Sequence, residues 1–234
     1  MPEEEKTIKD FEQLTGLLKK KEICKRTVVV WPEEDHTQEA ILQATHEGFI
    51  SPILVCSERT KKIFADREAL QAVTAENPEE ASRIAVKIIR EQKADIIMKG
   101  FVNTDVLLRA ILDKEHGILP RGAVLTHITV TKIPEYPKLL FFTDAAVIPY
   151  PTEEQRKAQI KYVIDFCHAF NIDCPKISLI HCSEKVDVKH FPYTDSYNKI
   201  KKETESGLFG KCVVDGPLDL KTSCSTEAMK IKNT

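Results

Sequence analysis

The apolar residues change period repeatedly along this chain. TVVVWP (27–32) and SPILVCS (51–57) are short β-branched runs of the kind that fill a sheet covered on both faces. Between and around them the spacing is helical. Ile8, Phe11, Leu14, Leu17 and Leu18 share a face over 7–22, and a second helix over 36–49 stops near Gly48. The third helix, 77–94, has Asn77 as N-cap, Pro78 in the first turn and two glutamates behind it. A strand at 95–99 and a helix at about 104–114 follow.

Beyond this point the pattern changes. RGAVLTHITVTKI (121–133) and KLLFFTDAAVI (138–148) read as two strands around a corner at Pro134-Glu135-Tyr136-Pro137. Pro149-Tyr150-Pro151 is a stiff break, and a helix runs from Thr152 to about Phe170. A strand at 176–182, a polar helix at 195–206, a strand at 211–215 and a last helix over 217–230 complete the reading. Strands alternating with helices predict an α/β fold, two-lobed and three-layered (α/β/α), with mostly parallel sheets. The Pro-Tyr-Pro break suggests lobes at 1–148 and 149–234.

Composition narrows the field. Of 234 residues 42% are hydrophobic and 30% charged, with a formal net charge of −2, so nothing electrostatic points to nucleic acid or a membrane surface. The start, MPEEEKTIKD, is acidic and does not read as a signal peptide, and no apolar run is long enough to span a bilayer. The expectation is a soluble cytoplasmic protein. Its seven cysteines form no C-x-x-C pair, and reduced thiols are expected. Cys167, His168, Cys174, His181 and Cys182 lie near one another in sequence, but their spacing matches no common zinc pattern.

Candidate chemistry gathers at strand ends, where α/β sheets bind ligands. In MKGFVNTD, Gly100 lets the backbone turn sharply, Asn103 or Thr104 can cap the next helix, and the first free N–H groups there suit an anion. Lys99 adds a full charge, and Arg109 either folds back onto the same anion or pairs with Asp105 four residues earlier. Asp144 is a helix or turn cap, or a carboxylate held at a strand end to accept a proton or hold a cation. His127 reads as a core histidine or a catalytic one. Asp215-Gly216-Pro217 reads as a tight turn from strand into helix.

Five segments, taken together, resemble the phosphate acetyltransferase and phosphate butyryltransferase family, and its butyryl branch more closely. They are MKGFVNTDVLLRAILDKEHGI (98–118), VLTHITV (124–130), LLFFTDAAV (139–147), PTEEQRKAQI (151–160) and VVDGPLDL (213–220), in the family's order. The resemblance implies the two-lobed fold shared with isocitrate and isopropylmalate dehydrogenases, commonly as a homodimer. It also implies reversible transfer of a short acyl group, butyryl or acetyl, between coenzyme A and inorganic phosphate, giving an acyl phosphate. Carried over, Lys99, Gly100, Thr104, Arg109 and Thr126 fall on substrate-binding positions, and Asp144 and His127 on catalytic ones. Coenzyme A is a substrate, and neither a metal nor a tightly bound cofactor is expected.

Two departures stand out. Ile148 occupies a position where the butyryl branch usually has asparagine. The family also continues past VDGPL with a strand-and-helix section bearing a serine-arginine motif, which residues 221–234 do not match. The alternative reading is therefore a truncated, non-catalytic family member that keeps an anion- or coenzyme A-binding cleft.

Overall fold

The computed structural model describes residues 7–65, 70–134 and 136–232, without the side chain of Thr226. Most of the acidic start and Glu135 of the expected corner lie outside the described residues. Leu14–Ala123 forms one compact unit, and the chain up to Gln13 together with Val124 onward forms the other.

In the first unit the strands are β1 (Lys25–Val30), β2 (Ile50–Cys56), β3 (Gln71–Thr74) and β4 (Ile96–Lys99). They form one parallel sheet in the order β3-β2-β1-β4. The helices are α1 (Phe11–Lys20, in this unit from Leu14 onward), α2 (Asp35–His46), α3 (Glu58–Ile63), α4 (Pro78–Arg90) and α5 (Thr104–Ile111). Central strand β1 shows why its valine run contains no polar alternation. Val28 and Val30 join a core with Ala81, Ala85 and Leu107 of α4 and α5. Val29 points to the other face, into a core with Ile41, Leu54 and Phe64. Each face of the sheet is thus covered, as an α/β/α layering requires.

Local signals act as the sequence indicates. Asn77 accepts a hydrogen bond from the Glu80 N–H (2.9 Å) at the head of α4. Gly100 is dictated by a close approach, since a Cβ there would lie 2.7 Å from the carbonyl oxygens of both Val30 and Trp31. The segment 57–76 carries an additional helix and edge strand, α3 and β3, that the periodicity did not reveal. Both are short, and the exposed face of β3 leaves no apolar alternation to read.

The second unit holds β5 (Thr129–Thr131), β6 (Leu140–Phe142), α6 (Glu153–Ala169), β7 (Lys176–Ile180), α7 (Asp195–Glu205), β8 (Val213–Leu218), α8 (Leu220–Cys224) and α9 (Thr226–Lys232). β5 and β6 pair antiparallel, whereas β7 and β8 pair parallel. Thr152 heads α6 with a capping box: its hydroxyl accepts from Gln155 N–H (3.2 Å) and its N–H donates to Gln155 Oε1 (2.9 Å). The Pro149-Tyr150-Pro151 break lies inside this unit, between β6 and α6. There Phe141 of β6 stacks edge-on against Phe166 and Phe170 of α6, at 5.7 and 5.0 Å between ring centroids.

Three expectations need correction. The two long strands at 121–133 and 138–148 shrink to three residues each. One reason is that the Asp144 carboxylate takes the backbone N–H of His127, which a ladder would otherwise use. Asp215-Gly216-Pro217 is no turn: it lies within β8, where a bulge shifts the register against β7 between Ser178 and Ile180. Gly216, at φ 146°, is required there, because a Cβ would meet the Leu179 carbonyl oxygen at 2.6 Å. The final helix is broken into α8 and α9 at Ser225, whose backbone is extended.

Candidate active site

Asp144 follows β6 in a turn and uses both its oxygens. Oδ1 accepts from the backbone N–H groups of Ala146 (2.8 Å) and Val147 (2.7 Å), which closes the turn. Oδ2 reaches across to the Thr126 hydroxyl (2.7 Å) and the His127 N–H (3.1 Å). The turn cap is seen directly, and the same carboxylate also ties the turn to residues 126 and 127. Burial pushes its pKa up, but four donors outweigh that and bring it down to about 2.

Thr126 is the hub of this cluster. Its hydroxyl lies 3.1 Å from that of Thr143 and accepts from Gln159 Nε2 (3.2 Å), a side chain buried on α6. The His127 ring stays half-buried, with Nδ1 3.4 Å from the Thr129 hydroxyl. Thr126, His127 and Asp144 are thus drawn together, His127 through its backbone N–H. Thr143 and Gln159 are further members that sequence reasoning missed, since a buried glutamine on a charged helix gives no local signal.

Asp144 and Thr143 also line a pocket of about 340 Å³ in the same unit. Its other walls come from residues 148–151, α6, β7, Tyr193 and Tyr197.

Lys99, Gly100, Thr104 and Arg109 belong to the first unit, at the end of β4 and along α5. Lys99 Nζ donates to the carbonyls of Val102 (2.8 Å) and Gly100 (3.3 Å), so the ammonium closes the loop it ends. Asn103 stands at the N-cap with no side-chain cap bond, and Thr104 is exposed at the first helical position. Arg109 pairs with the Asp105 carboxylate, and its Nε donates to the Asp105 carbonyl (3.3 Å). The hydrogen bond from the guanidinium to its carboxylate holds Asp105 below the usual carboxylate range. Arg109 also borders a groove of about 810 Å³ between α4 and α5, along with Arg83, Lys87 and Arg90.

All seven cysteines are free thiols. Burial pushes Cys56 and Cys167 up to about 11. Among the described residues no three of His, Cys, Asp or Glu are arranged to hold a metal ion. Among the same residues no helix is long and apolar enough to cross a membrane.

Comparison with known proteins agrees with this arrangement of elements. The phosphate acetyl/butaryl transferase family profile matches residues 69–234. Phosphate butyryltransferase from Clostridium acetobutylicum is 33% identical over 226 residues, covering 94% of this chain and 74% of that protein. Phosphate acetyltransferase from Thermotoga maritima is 29% identical over 213 residues, covering 89% and 71%. Two solved structures share the fold. A phosphotransacetylase from Streptococcus pyogenes has TM-score 0.74 at 18% identity, covering 95% of this chain and 77% of its own. A branched-chain phosphotransacylase from Enterococcus faecalis V583 has TM-score 0.70 at 21% identity, covering 89% and 74%. The chain belongs to the phosphate acetyl/butaryl transferase family.

Proposed function

We propose that this protein is a phosphate acyltransferase, moving a short acyl group reversibly between coenzyme A and inorganic phosphate and giving an acyl phosphate. The observation that carries the reading is the family match across residues 69–234. That span takes in both the Lys99–Arg109 segment and the Thr126–Asp144 cluster. Coenzyme A enters as a substrate and not as a bound cofactor. Seven free thiols suit a reducing compartment, so the reading includes a cytoplasmic enzyme, working as a homodimer like the family it resembles.

In the proposed mechanism Lys99, Thr104 and Arg109 hold the phosphate. Gly100 keeps the backbone low at the strand end, so the loop can approach the anion. The chemistry needs a donor for the oxyanion of the tetrahedral transition state and a base for the coenzyme A thiol. Asp144 is a weak candidate for the base, because four donors already occupy its lone pairs and its pKa is about 2. Its role is to hold Thr126 and the backbone at His127 in place, which leaves the His127 imidazole as the proton acceptor. No covalent intermediate on the protein is required, so none of the cysteines need be a nucleophile.

The test is thiol consumption. Purified protein is mixed with coenzyme A and acetyl or butyryl phosphate, and free thiol is followed against a protein-free control and a control without acyl phosphate. Loss of thiol that depends on both substrates is the expected result. Phosphate binding with no loss of thiol would instead favour a protein that retains a cleft without the reaction.

A further inference from the structure

Gln159 has no part in the mechanism above. It is 4% exposed, in the middle of α6, and borders the pocket of about 340 Å³ together with Thr143 and Asp144. Its Nε2 lies 3.2 Å from the Thr126 hydroxyl, and among the described residues its Oε1 has no partner. A polar side chain this deeply buried costs free energy unless its bonds matter to the fold or the site.

The direction of each hydrogen bond in the cluster follows from Asp144. Its carboxylate is ionised at neutral pH and can only accept. The contact between Thr126 Oγ1 and Asp144 Oδ2 (2.7 Å) therefore takes the one proton of the Thr126 hydroxyl. Two lone pairs remain on Thr126 Oγ1, and two neighbours meet them. One is the Gln159 amide, which has to present its NH2 and not its oxygen. The other is the Thr143 hydroxyl, 3.1 Å away, which has to donate because Thr126 has no second proton. Asp144 passes the constraint on, since the oxygen that holds Thr126 also takes the His127 N–H (3.1 Å). One chain of bonds thus runs from Gln159 through Thr126 and Asp144 to the His127 backbone.

The same assignment sets the polarity of the pocket wall. Thr143 has its proton turned toward Thr126, so it offers the pocket lone pairs alone. Gln159 Oε1 and Asp144 are acceptors as well, so this side of the pocket suits donors and no oxyanion. That agrees with a phosphate held by Lys99, Thr104 and Arg109.

We propose that Gln159 is a positioning residue. Its amide N–H locks the Thr126 hydroxyl onto Asp144 and so fixes the backbone that carries His127. The direction of the bond matters, and the bulk of the side chain does not. Its bearing on catalysis rests on the reading of His127 as the proton acceptor.

Gln159→Glu tests the direction at almost unchanged shape. While the introduced carboxyl is protonated, its O–H can still donate to Thr126. Once ionised it only accepts, and it competes with Asp144 for the Thr126 proton. Asp144 and Arg156 are the charged groups that border the pocket, and both stay in every variant. The backbone N–H resonance of His127, followed by NMR of the whole chain, should match the wild type at acidic pH. It should depart from the wild type as the carboxyl ionises. Adding Thr126→Val should abolish that departure, because the chain of bonds is cut. No departure overturns the proposal. So does a departure that survives Thr126→Val, which would be the direct field of the new charge. In the thiol assay the kcat of Gln159→Glu should fall roughly tenfold against wild type over the same pH range, with the KM for acyl phosphate unchanged. An unchanged kcat also overturns the proposal. If Gln159→Glu does not fold, the wild type decides: a Gln159 side-chain N–H shows a nuclear Overhauser effect to the Thr126 methyl, or the proposal fails. A wild type that consumes no thiol sinks the acyltransferase reading, and the His127 resonance still decides this one.

Discussion

The Thr126 hydroxyl donates to Asp144 Oδ2 at 2.7 Å across 18 residues of sequence, joining the segment before β5 to the turn after β6. The same oxygen takes the His127 N–H, so one carboxylate fixes the backbone beside the histidine. This pairing organises the cluster and carries the first prediction. Asp144→Asn would turn an amide NH2 toward two donors, or else lose the turn N–H groups. The variant should be destabilised by about 1–3 kcal/mol, the range for losing bonds to a charged acceptor. Urea unfolding of the two proteins measures it, and an unchanged midpoint would mean that the cluster contributes nothing to the fold.

A pH dependence follows from the same group. The Asp144 pKa is depressed to about 2 in the folded chain from an ordinary value of 3.8. A depressed folded pKa means that the unfolded chain binds the proton more readily. Its stabilising contribution is therefore fully present above about pH 4 and is lost as pH falls through about 2. Stability measured across that window should fall less steeply in Thr126→Val, which removes one of the donors and raises the folded pKa.

Gly100→Ala should be destabilising in spite of the small change. The added Cβ would lie 2.7 Å from two backbone oxygens of β1 and its following residue, and these oxygens accept the Gly100 and Phe101 N–H groups, so neither can move without disturbing the end of the β1–β4 pairing. Overpacking of this kind costs roughly 1–3 kcal/mol. A melting temperature equal to the wild type would show that the loop yields instead.

Arg109→Ala and Lys99→Ala separate substrate binding from local structure. Arg109 is exposed and its partner is Asp105, so its removal should leave the melting temperature unchanged. If Arg109 also engages phosphate, the KM for phosphate should rise by about one order of magnitude or more. An unchanged KM would leave Arg109 as a surface ion pair. Lys99→Ala removes the donor to the Val102 and Gly100 carbonyls, so it should affect both KM and stability.

Thiol reactivity should fall into two classes. Cys24, Cys174 and Cys182 are exposed and should react with a disulfide reagent in the native protein at pH 8. Cys56 and Cys167 are buried with pKa values of about 11, so they should react only on unfolding. Counting thiols released with and without denaturant checks this, and it sets the background for the coenzyme A assay.

Much of the fold was legible because the forces that shape it act over a few residues. The Val28–Val30 run marks a strand buried on both faces, Asn77 and Thr152 are caps wherever they stand, and Gly100 marks a close backbone approach. The candidate residues at the strand ends were legible for the same reason, as charges and small residues at the start of a helix. Other features depend on groups that meet only in three dimensions. The length of β5 and β6 was set by where Asp144 finds its donors. Asp215-Gly216-Pro217 lies in a strand because β7 accommodates a bulge there. The sequence shows Arg156 and Lys157 as adjacent cations on a charged helix. Glu153 and Glu154 stand one turn before Lys157 on the same helix, but only the packing of α6 against α7 decides that Lys157 also meets Glu203 and that Arg156 is buried beside the Ser196 hydroxyl, because the burial of a charge depends on what surrounds it in space.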